Sequence, residues 1–452
     1  MKKILLSFLT ILLISQIAYA KENLGLFDKS IRKSGIPKGS ISISVRDLET
    51  GKIVKELNAK TQVSPASTQK VLTVLPSLNT LGENYQFATR LYKAKNGDYY
   101  LVLGADPYLT TKDLKNLLSY IKLEKWGELK NLYIDDSILD NKTWGEGWQW
   151  DDDLNTLMPK FGSYNIDGNL YTVVVKPTKI NYPADIFTDV FYPTTFINKT
   201  KTTVSSTNIK LERENYISPD ALTVDGEVAE VTKVKVPVNY IKRYFILRLD
   251  DALRANKISY YGKYPTGKLP ANSTLIAQIS HPTSLAVNDA LKNSNNLVAE
   301  TIFKVAGGKY TNSTGTQASA MAMFNNYCAN THLDCTNIRL TDGSGVSKNN
   351  LVTADFMSQY LYVTQNKLGY EKTKHLLATP TEGTLKTRMF YLKDKLYAKT
   401  GTLSNISGIT GYIDAKSGKS YAFAIYITSG NSSEASKKML EEFLIREAYN
   451  NL

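Results

Sequence analysis

The stretch of sequence that decides the fold is SPASTQKVLT, residues 64–73. Ser64 can cap the free backbone N–H groups of a helix and Pro65 has the fixed φ that suits a first turn, so the pair predicts a helix start. Ser67 then lies in the first turn, where unpaired N–H groups and the positive end of the helix dipole stabilise negative charge near its oxygen. Lys70 follows three residues later and shares the helical face of Ser67.

Ser67 and Lys70 together predict a nucleophile and its base. A serine hydroxyl is a weak nucleophile at neutral pH, and none of the three histidines lies in a recognisable triad context. A lysine beside the serine can act as the base if burial or a second cation lowers its pKa. By itself, however, the pattern Ser-x-x-Lys is common by chance in a chain rich in Ser and Lys, and it describes a solvated helix face equally well.

The first 20 residues have the pattern of a secretory signal peptide. Lys2 and Lys3 precede an apolar run, and AYA at residues 18–20 fits a cleavage site. We therefore expect an exported protein, periplasmic or otherwise in the cell envelope. No later apolar run approaches the ~18 residues that span a bilayer, so no transmembrane anchor is expected, while peripheral association with a membrane stays open.

The formal net charge is +13, and +11 remains after the two lysines of the signal are removed. This excess favours anionic surroundings such as cell-wall polymer or a membrane surface. Export makes nucleic acid the least fitting partner, and we expect none. A generally lysine-rich proteome with no specific anionic partner explains the charge equally well.

Cys328 and Cys335 are the only cysteines of the chain. In an oxidising compartment their spacing predicts a disulfide that closes a short loop. A zinc site would need two further ligands, and only His332 is near. We therefore expect neither a metal nor another cofactor.

The pattern along the chain predicts an α/β protein with a large β-rich insertion. Alternation at residues 40–45, a turn at 49–52 and a second strand from Ile53 predict an antiparallel hairpin ahead of the Ser64 helix. From about residue 85 to 238 the sequence is rich in Tyr, Thr and Val and predicts short strands, with a loop over them at residues 156–167. Helices are predicted at residues 240–257, 288–305, 316–327 and 433–449. The last helix has an apolar face, which fits packing against a sheet better than lying on a membrane and consists of Met439, Leu440, Phe443, Leu444 and Ala448.

Two further motifs strengthen the interpretation of Ser67. Ser294-Asn295-Asn296 lies in a helical stretch, and Lys399-Thr400-Gly401-Thr402 precedes the last strands. The order Ser-x-x-Lys, Ser-x-Asn, Lys-Thr-Gly is the pattern of penicillin-recognising serine enzymes. Alone, the second motif would also describe a helix N-cap or a turn, but the three motifs in order make chance a weak explanation.

The chain resembles the class C low-molecular-mass penicillin-binding proteins, the D-alanyl-D-alanine carboxypeptidase/endopeptidase family (peptidase family S13). The resemblance covers nearly the whole mature chain. It also rests on TDGSGVS at residues 341–347, EGTL at 382–385 and GWQWDD at 147–152, and on the 227 residues between Ser67 and Ser294, which exceed what a compact β-lactamase fold needs. It implies a transpeptidase/β-lactamase-like domain, an antiparallel sheet flanked by helices, with a large β-rich insertion between the first two motifs.

The resemblance also implies a nested domain order. The expected parts are a signal peptide at 1–20, a penicillin-binding domain at 21–80 and 281–452, an inserted domain at 81–172 and 239–280, and a nested β domain at 173–238.

By the same resemblance, Ser67 attacks the carbonyl between two terminal D-alanines of a peptidoglycan stem peptide and forms an acyl-enzyme. Lys70 is the candidate base, with its pKa lowered by the second positive charge of Lys399. Ser294 would relay the proton to the leaving amine, and Asn296 would hold the substrate amide or steady Lys70. The predicted catalytic set is therefore Ser67, Lys70, Ser294, Asn296 and Lys399.

The substrate-binding residues follow from the resemblance as well. The hydroxyls of Thr400 and Thr402, with Lys399, suit a terminal carboxylate, and Gly401 lets a substrate backbone pass closely. The backbone N–H groups of Ser67 and Thr402 would form the oxyanion hole.

Three further side chains are candidates for substrate binding. By the same resemblance, Trp150 and Asp152 match family positions that recognise the ammonium group of a diamino acid in the stem peptide. There are two alternatives: the segment is a solvated acidic turn, or another acid of residues 151–153 takes the place of Asp152. Arg388 would meet a carboxylate or form a structural ion pair.

β-Lactams are expected to acylate Ser67 and remain attached. The alternatives are a serine β-lactamase, which needs a base for rapid deacylation, and a non-catalytic wall-binding scaffold that kept the fold. The sequence leaves open the balance of carboxypeptidase and endopeptidase activity, the identity of the diamino acid and the oligomeric state.

Overall fold

The computed structural model of the chain describes residues 25, 27–122, 129–214, 218 and 220–452. They divide into two compact units. Unit 1 consists of the described residues up to Thr68 together with Leu351–Leu452, and unit 2 consists of the described residues of Gln69–Asn350. The predicted signal peptide at 1–20 lies outside the described residues. The domain boundaries expected from the sequence stay predictions.

Helices and strands alternate along most of the described chain. The α-helices are α1 Asp28–Ser34, α2 Lys70–Leu81, α3 Thr111–Leu118, α4 Ile241–Ala255, α5 Thr283–Asn288, α6 Asn296–Thr311, α7 Gln317–Asn330, α8 Ala354–Leu368, α9 Tyr370–His375 and α10 Glu434–Asn451. The strands are β1 Ile41–Asp47, β2 Ile53–Leu57, β3 Gln86–Lys93, β4 Tyr99–Val102, β5 Leu132–Asp135, β6 Leu170–Lys176, β7 Asp185–Thr188, β8 Thr195–Thr202, β9 Asn208–Arg213, β10 Ala221–Val228, β11 Thr232–Pro237, β12 Thr274–Pro282, β13 Leu396–Leu403, β14 Ile406–Asp414 and β15 Ser420–Ile427. Shorter turns of 3₁₀-helix lie at Lys38–Ser40, Ala66–Gln69, Trp150–Asp152, Asp167–Asn169, Gly383–Leu385 and Phe390–Leu392, and a π-helical turn lies at Asp289–Asn293.

Unit 1 is built on an antiparallel five-stranded sheet with the order β13-β14-β15-β1-β2. The predicted hairpin is confirmed as β1 and β2. Both faces of β1 are buried. Ile43 and Val45 belong to an apolar core on one face, while Ser44 on the other face hydrogen-bonds Ser358 of α8 at 2.8 Å. Helices therefore cover both faces of the sheet, as the expected fold class requires.

The predicted carboxy-terminal helix is confirmed as α10, with Ser433 as its N-cap. Leu440, Leu444 and Ala448 belong to the same buried core as the strands of the sheet, so the helix packs on the sheet rather than presenting this face to solvent. Met439, which the periodicity placed on that face, is 53% exposed. Among the described residues, no helix combines the length and apolar character needed to cross a bilayer.

Unit 2 contains the inserted β region. One sheet has the order β12-β3-β4-β5, and two three-stranded sheets have the orders β8-β10-β9 and β11-β6-β7. Strands β6 to β11 thus pair only with one another among the described strands, while β12, later in the chain, returns to pair antiparallel with β3. The predicted β-rich insertion between the first two motifs is confirmed.

Two sequence predictions about helices are wrong in part. The helix predicted at 288–305 is interrupted, because Ser294 has a left-handed φ of 66° between the π-helical turn and α6. The helix at Ser64 begins later, at Ala66, as a 3₁₀ turn that leads into α2. The predicted disulfide between Cys328 and Cys335 is confirmed; it ties the last turn of α7 to the following loop.

Candidate active site

The turn that carries Ser67 is held by Thr68 and not by Ser64. The Ser64 hydroxyl has no hydrogen-bond partner among the described residues, so it does not cap the helix. Instead the hydroxyl of Thr68 donates to the carbonyl of Pro65 at 2.7 Å. Ala66 takes a left-handed φ of 48°, a conformation that a non-glycine residue keeps only where packing holds it. The result is a tight turn with Ser67 partly exposed at its surface.

Strand β13 lies directly against this turn, within unit 1. A Cβ added to Gly401 would lie 2.8 Å from the backbone nitrogens of both Ser67 and Thr68, which is closer than any real Cβ contact. Only a glycine therefore lets the strand lie this close. The first and third sequence motifs are thus neighbours in space.

Tyr426 braces the turn from the sheet. Its ring fills the space over Gly408, where a Cβ would come within 2.7 Å of it. Its hydroxyl is 2.9 Å from that of Thr68. Two glycines on paired positions of β13 and β14, Gly401 and Gly408, thus let an aromatic side chain of β15 reach the residue after Ser67.

The remaining residues of the third motif differ in exposure. Lys399 is fully buried and its Nζ donates to the carbonyl of Thr400 at 2.8 Å. The hydroxyl of Thr400 donates to that of Thr384 at 2.8 Å, which links the motif to the EGTL segment. Thr402 is exposed. The strand thus presents hydroxyls at its surface and an ammonium beneath them.

In unit 2 the second motif meets Lys70, the first residue of α2. Lys70 is fully buried. Its Nζ donates to Oδ1 of Asn296 at 2.6 Å and to the carbonyl of Ser344 at 2.7 Å. The Nδ2 group of Asn296 in turn donates to the carbonyl of Leu157 at 2.8 Å. Asn296 therefore holds both the lysine and the loop that the sequence predicted near residues 156–167.

Burial lowers the pKa of Lys70 to about 7, since the charged amine is removed from water. The charges of Asp342 and Glu300 act in the opposite direction and raise it. The sequence interpretation had attributed the lowered pKa to the positive charge of Lys399. The direction is the expected one, but the largest cause is desolvation. A lysine with a pKa near 7 is neutral in a large fraction of molecules at physiological pH, as a general base must be.

Ser294 sits in the left-handed turn between the π-helical turn and α6. Asp289 shapes this turn, since its carboxylate accepts from the Nδ2 groups of Asn293 and Asn295 at 2.9 and 2.8 Å. Oδ1 of Asn295 caps α6 by accepting from the backbone of Val298 at 3.2 Å. Asn295 is therefore the residue of the second motif that caps the helix. Ser294 and Asn296 flank it in the chain.

Asp342 lies at the centre of a hydrogen-bond network that sequence reasoning did not identify. Its Oδ2 accepts from the indole of Trp148 and the backbone of Ser347, each at 2.8 Å. Its Oδ1 accepts from the backbone of Gly345 and from Asn350, again at 2.8 Å. The motif TDGSGVS is visible in the sequence, but its spacing does not indicate which side chain organises these contacts.

The candidate ammonium site has one exposed aromatic residue and one partly buried acid. Trp150 is 82% exposed. Burial and the neighbouring Asp151 raise the pKa of Asp152, while Lys348 lowers it. Asp153 is already occupied by an ion pair with Arg213 at 2.8 Å. Because Asp153 already has this partner, Asp151 and Asp152 are the acidic residues of this segment that stay candidates for binding the ammonium group.

Arg388 lies in unit 1 between two acidic residues of α10. Its guanidinium donates to Glu441 at 3.0 Å and to Glu442 at 2.8 Å. Glu441 is buried and also accepts from Ser407 at 2.6 Å. This placement favours the structural ion pair over contact with a substrate carboxylate.

Comparison with known proteins identifies similar sequences. A family model described as the D-Ala-D-Ala carboxypeptidase 3 (S13) family matches residues 25–447. D-alanyl-D-alanine carboxypeptidase DacB of Haemophilus influenzae is 26% identical over 450 residues, 92% of this chain and 92% of its own. D-alanyl-D-alanine carboxypeptidase of Actinomadura sp. is 25% identical over 446 residues, 91% of this chain and 82% of its own.

Solved structures show the same fold. The crystal structure of penicillin-binding protein 4 from H. influenzae matches with a TM-score of 0.82 and 21% identity, covering 95% of this chain and 99% of that one. A second structure of that protein, in complex with a β-lactam, matches with a TM-score of 0.77 and 20% identity, covering 93% and 99%. The expected fold class is therefore confirmed.

Replacing Gly401 with Ala tests the contact between β13 and the Ser67 turn. The new methyl group meets backbone atoms that cannot move aside, so we expect the free energy of unfolding to fall by about 1–3 kcal/mol. Gly39→Ala is the matched control, because a Cβ at that position has no neighbour within 4 Å. Urea unfolding of both variants measures the difference, and equal stability would contradict the packing described here.

Proposed function

This chain belongs to the D-Ala-D-Ala carboxypeptidase 3 (S13) family and is a serine-type carboxypeptidase, and from that premise we propose that Ser67 is its nucleophile and Lys70 its base. One observation carries the proposal. Lys70, three residues after Ser67, is fully buried with its Nζ 2.6 Å from Oδ1 of Asn296, so the first two motifs converge on one amino group. The substrates are peptidoglycan stem peptides that end in two D-alanines.

In the proposed acylation step, Oγ of Ser67 forms a bond to the carbonyl carbon between the two D-alanines, and its proton passes to the neutral amine of Lys70. The tetrahedral intermediate then collapses, the C–N bond breaks, and the proton reaches the leaving amine through Ser294. The backbone N–H groups of Ser67 and Thr402 stabilise the oxyanion, each worth ~3 kcal/mol. Water releases the acyl group in a second cycle with the same base.

Binding of the substrate's terminal carboxylate is assigned to the third motif. Lys399 supplies positive charge from beneath the strand, while the hydroxyls of Thr400 and Thr402 supply donors at its surface. Gly401 keeps the strand free of a side chain where the peptide passes. A free terminal carboxylate defines carboxypeptidase substrates, and the same site would also accept the ends of cross-linked stem peptides in endopeptidase action.

The side chain of the stem peptide's diamino acid is assigned to Trp150 and Asp152. An exposed aromatic face next to a carboxylate attracts an ammonium group.

Since this protein would act on the cell wall, we also propose that the signal pattern at residues 1–20 directs its export. The net positive charge of the chain is consistent with anionic cell-wall surroundings.

Covalent labelling by penicillin tests Ser67 as the nucleophile. Brief exposure to penicillin is expected to add one penicillin mass to the wild-type protein, and the adduct should persist because the acyl-enzyme deacylates slowly. Intact-mass spectrometry measures the adduct, and Ser67→Ala is expected to remain unlabelled. No adduct on the wild type, or an adduct on Ser67→Ala, would contradict the proposal, whereas an adduct lost within seconds would indicate a β-lactamase.

The pH dependence of acylation tests Lys70 as the base. Lys70 accepts a proton only when neutral, and its pKa is about 7, so the acylation rate should rise between pH 6 and pH 8 with a midpoint near 7. At one pH unit below that midpoint roughly a tenth of the enzyme carries the neutral amine. Stopped-flow measurements with a chromogenic β-lactam give the profile. Lys70→Arg, which stays protonated, is the control and should be inactive throughout. A rate that falls from pH 6 to pH 8 would exclude Lys70 as the base.

Recognition of the diamino acid tests the assignment of Asp152. Asp152→Asn removes the proposed counter-ion, so KM for a pentapeptide with a free side-chain amine should rise about two- to fivefold, in keeping with the loss of one partly exposed ion pair worth up to ~1 kcal/mol. Release of D-alanine measures the effect. The same peptide with its side-chain amine acetylated should be unaffected by the mutation, and Asp151→Asn is the matched control. Equal losses for both peptides would count against the assignment.

A further inference from the structure

Glu300 is a buried carboxylate that the mechanism above does not use. It lies on α6, one turn after Asn296, and is 1% exposed. Its Oε1 accepts from the backbone N–H groups of Gly343 at 3.0 Å and Ser344 at 2.8 Å, and its Oε2 accepts from Gly343 at 2.9 Å. A Cβ on Gly343 would lie 3.1 Å from this carboxylate, so a side chain there would push the loop and Glu300 apart by a few tenths of an ångström.

The other side of the same loop binds the start of α2. The carbonyls of three consecutive loop residues each accept a side-chain hydrogen bond from this region. These bonds are Gln69 Nε2 to Asp342 O at 2.6 Å, Thr73 Oγ1 to Gly343 O at 2.6 Å and Lys70 Nζ to Ser344 O at 2.7 Å. Residues 342–344 therefore connect α6 to α2: their N–H groups are held by Glu300 and their carbonyls by the lysine and its neighbours.

We infer that Glu300 is a positioning residue for Lys70, which acts by fixing the Ser344 carbonyl under the lysine Nζ; this inference rests on the proposed role of Lys70 as base. In a neutral amine, two N–H bonds and one lone pair surround the nitrogen beside its carbon. When Asn296 and Ser344 each accept one N–H bond, the lone pair has a single remaining direction. Glu300 thus sets the direction in which Lys70 accepts a proton.

A carboxylate suits this role better than an amide. Two oxygens accept the N–H groups of consecutive residues, whereas a glutamine would turn its own NH₂ group toward the N–H of Gly343. Burial and the charge of Asp342 raise the pKa of Glu300 to about 7, while the hydrogen bonds from Ser344 and Gly343 and the charge of Lys304 act in the opposite direction. The charge of Asp342 also raises the pKa of Lys70.

The test is the variant Glu300→Gln, assayed with a fluorescent penicillin between pH 5 and pH 9. The acylation rate constant is expected to fall roughly ten- to hundredfold, the loss typical of one hydrogen bond to a charged group, while the non-covalent dissociation constant stays unchanged. The acidic limb of the profile should move to lower pH, since Glu300 in its charged form raises the pKa of Lys70 and a glutamine cannot carry that charge. Glu214→Gln, another buried glutamate that accepts from Thr223, is the matched control and should behave as wild type.

The pH shift separates positioning from general loosening. If the mutation merely let water reach Lys70, its pKa would rise and the limb would move to higher pH; that result, or an unchanged rate constant, overturns the inference. Wild-type enzyme that fails to react with penicillin would instead refute the proposed function.

If Glu300→Gln does not fold, Thr73→Val is the second variant, because it removes the hydrogen bond to the Gly343 carbonyl without changing any charge. A lower rate constant with an unmoved acidic limb supports the inference, and an unchanged rate constant overturns it.

Discussion

The burial of Lys70 is the constraint on which the described site depends. An ammonium removed from water is costly unless it is hydrogen-bonded, and the usual outcome is a lowered pKa. Here Asn296 and the Ser344 carbonyl supply the acceptors, at 2.6 and 2.7 Å. Each acceptor must itself be held, which explains why the second motif caps a helix and why the loop at 342–350 is dense in hydrogen bonds.

Close backbone packing is the corresponding constraint in unit 1. Gly401 and Gly408 have no side chains, so β13 can lie against the Ser67 turn and the ring of Tyr426 can reach Thr68. The left-handed Ala66 fits this view, since a strained residue persists only where its surroundings over-determine it. The position of Ser67 therefore depends on the absence of side chains at Gly401 and Gly408, where an added methyl group would meet neighbouring atoms.

The sequence predicted those features that depend on local pattern, and it missed those that depend on distant contacts. The β1–β2 hairpin, α10 and the Cys328–Cys335 disulfide follow from alternation, amphipathicity and spacing. The break at Ser294 did not, because the apolar periodicity of 288–305 continues through it, and only the Asp289 contacts reveal the turn. Glu300 was missed for a related reason: a single acid in an apolar helix has no local pattern, and its partners lie more than forty residues away.

The two kinds of acceptor near Lys70 have separate tasks. A carboxylate bound directly to Nζ would hold the lysine in its charged form, with a raised pKa, and would leave almost no neutral amine to accept a proton at neutral pH. Lys70 instead binds a neutral amide and a neutral carbonyl, while Glu300 and Asp342 bind the backbone N–H groups of the loop behind that carbonyl. Their charges still raise the pKa of Lys70, but less than burial lowers it, which leaves the value about 7. Placing the acids one peptide group away therefore lets the loop be rigid without fixing Lys70 in its protonated form.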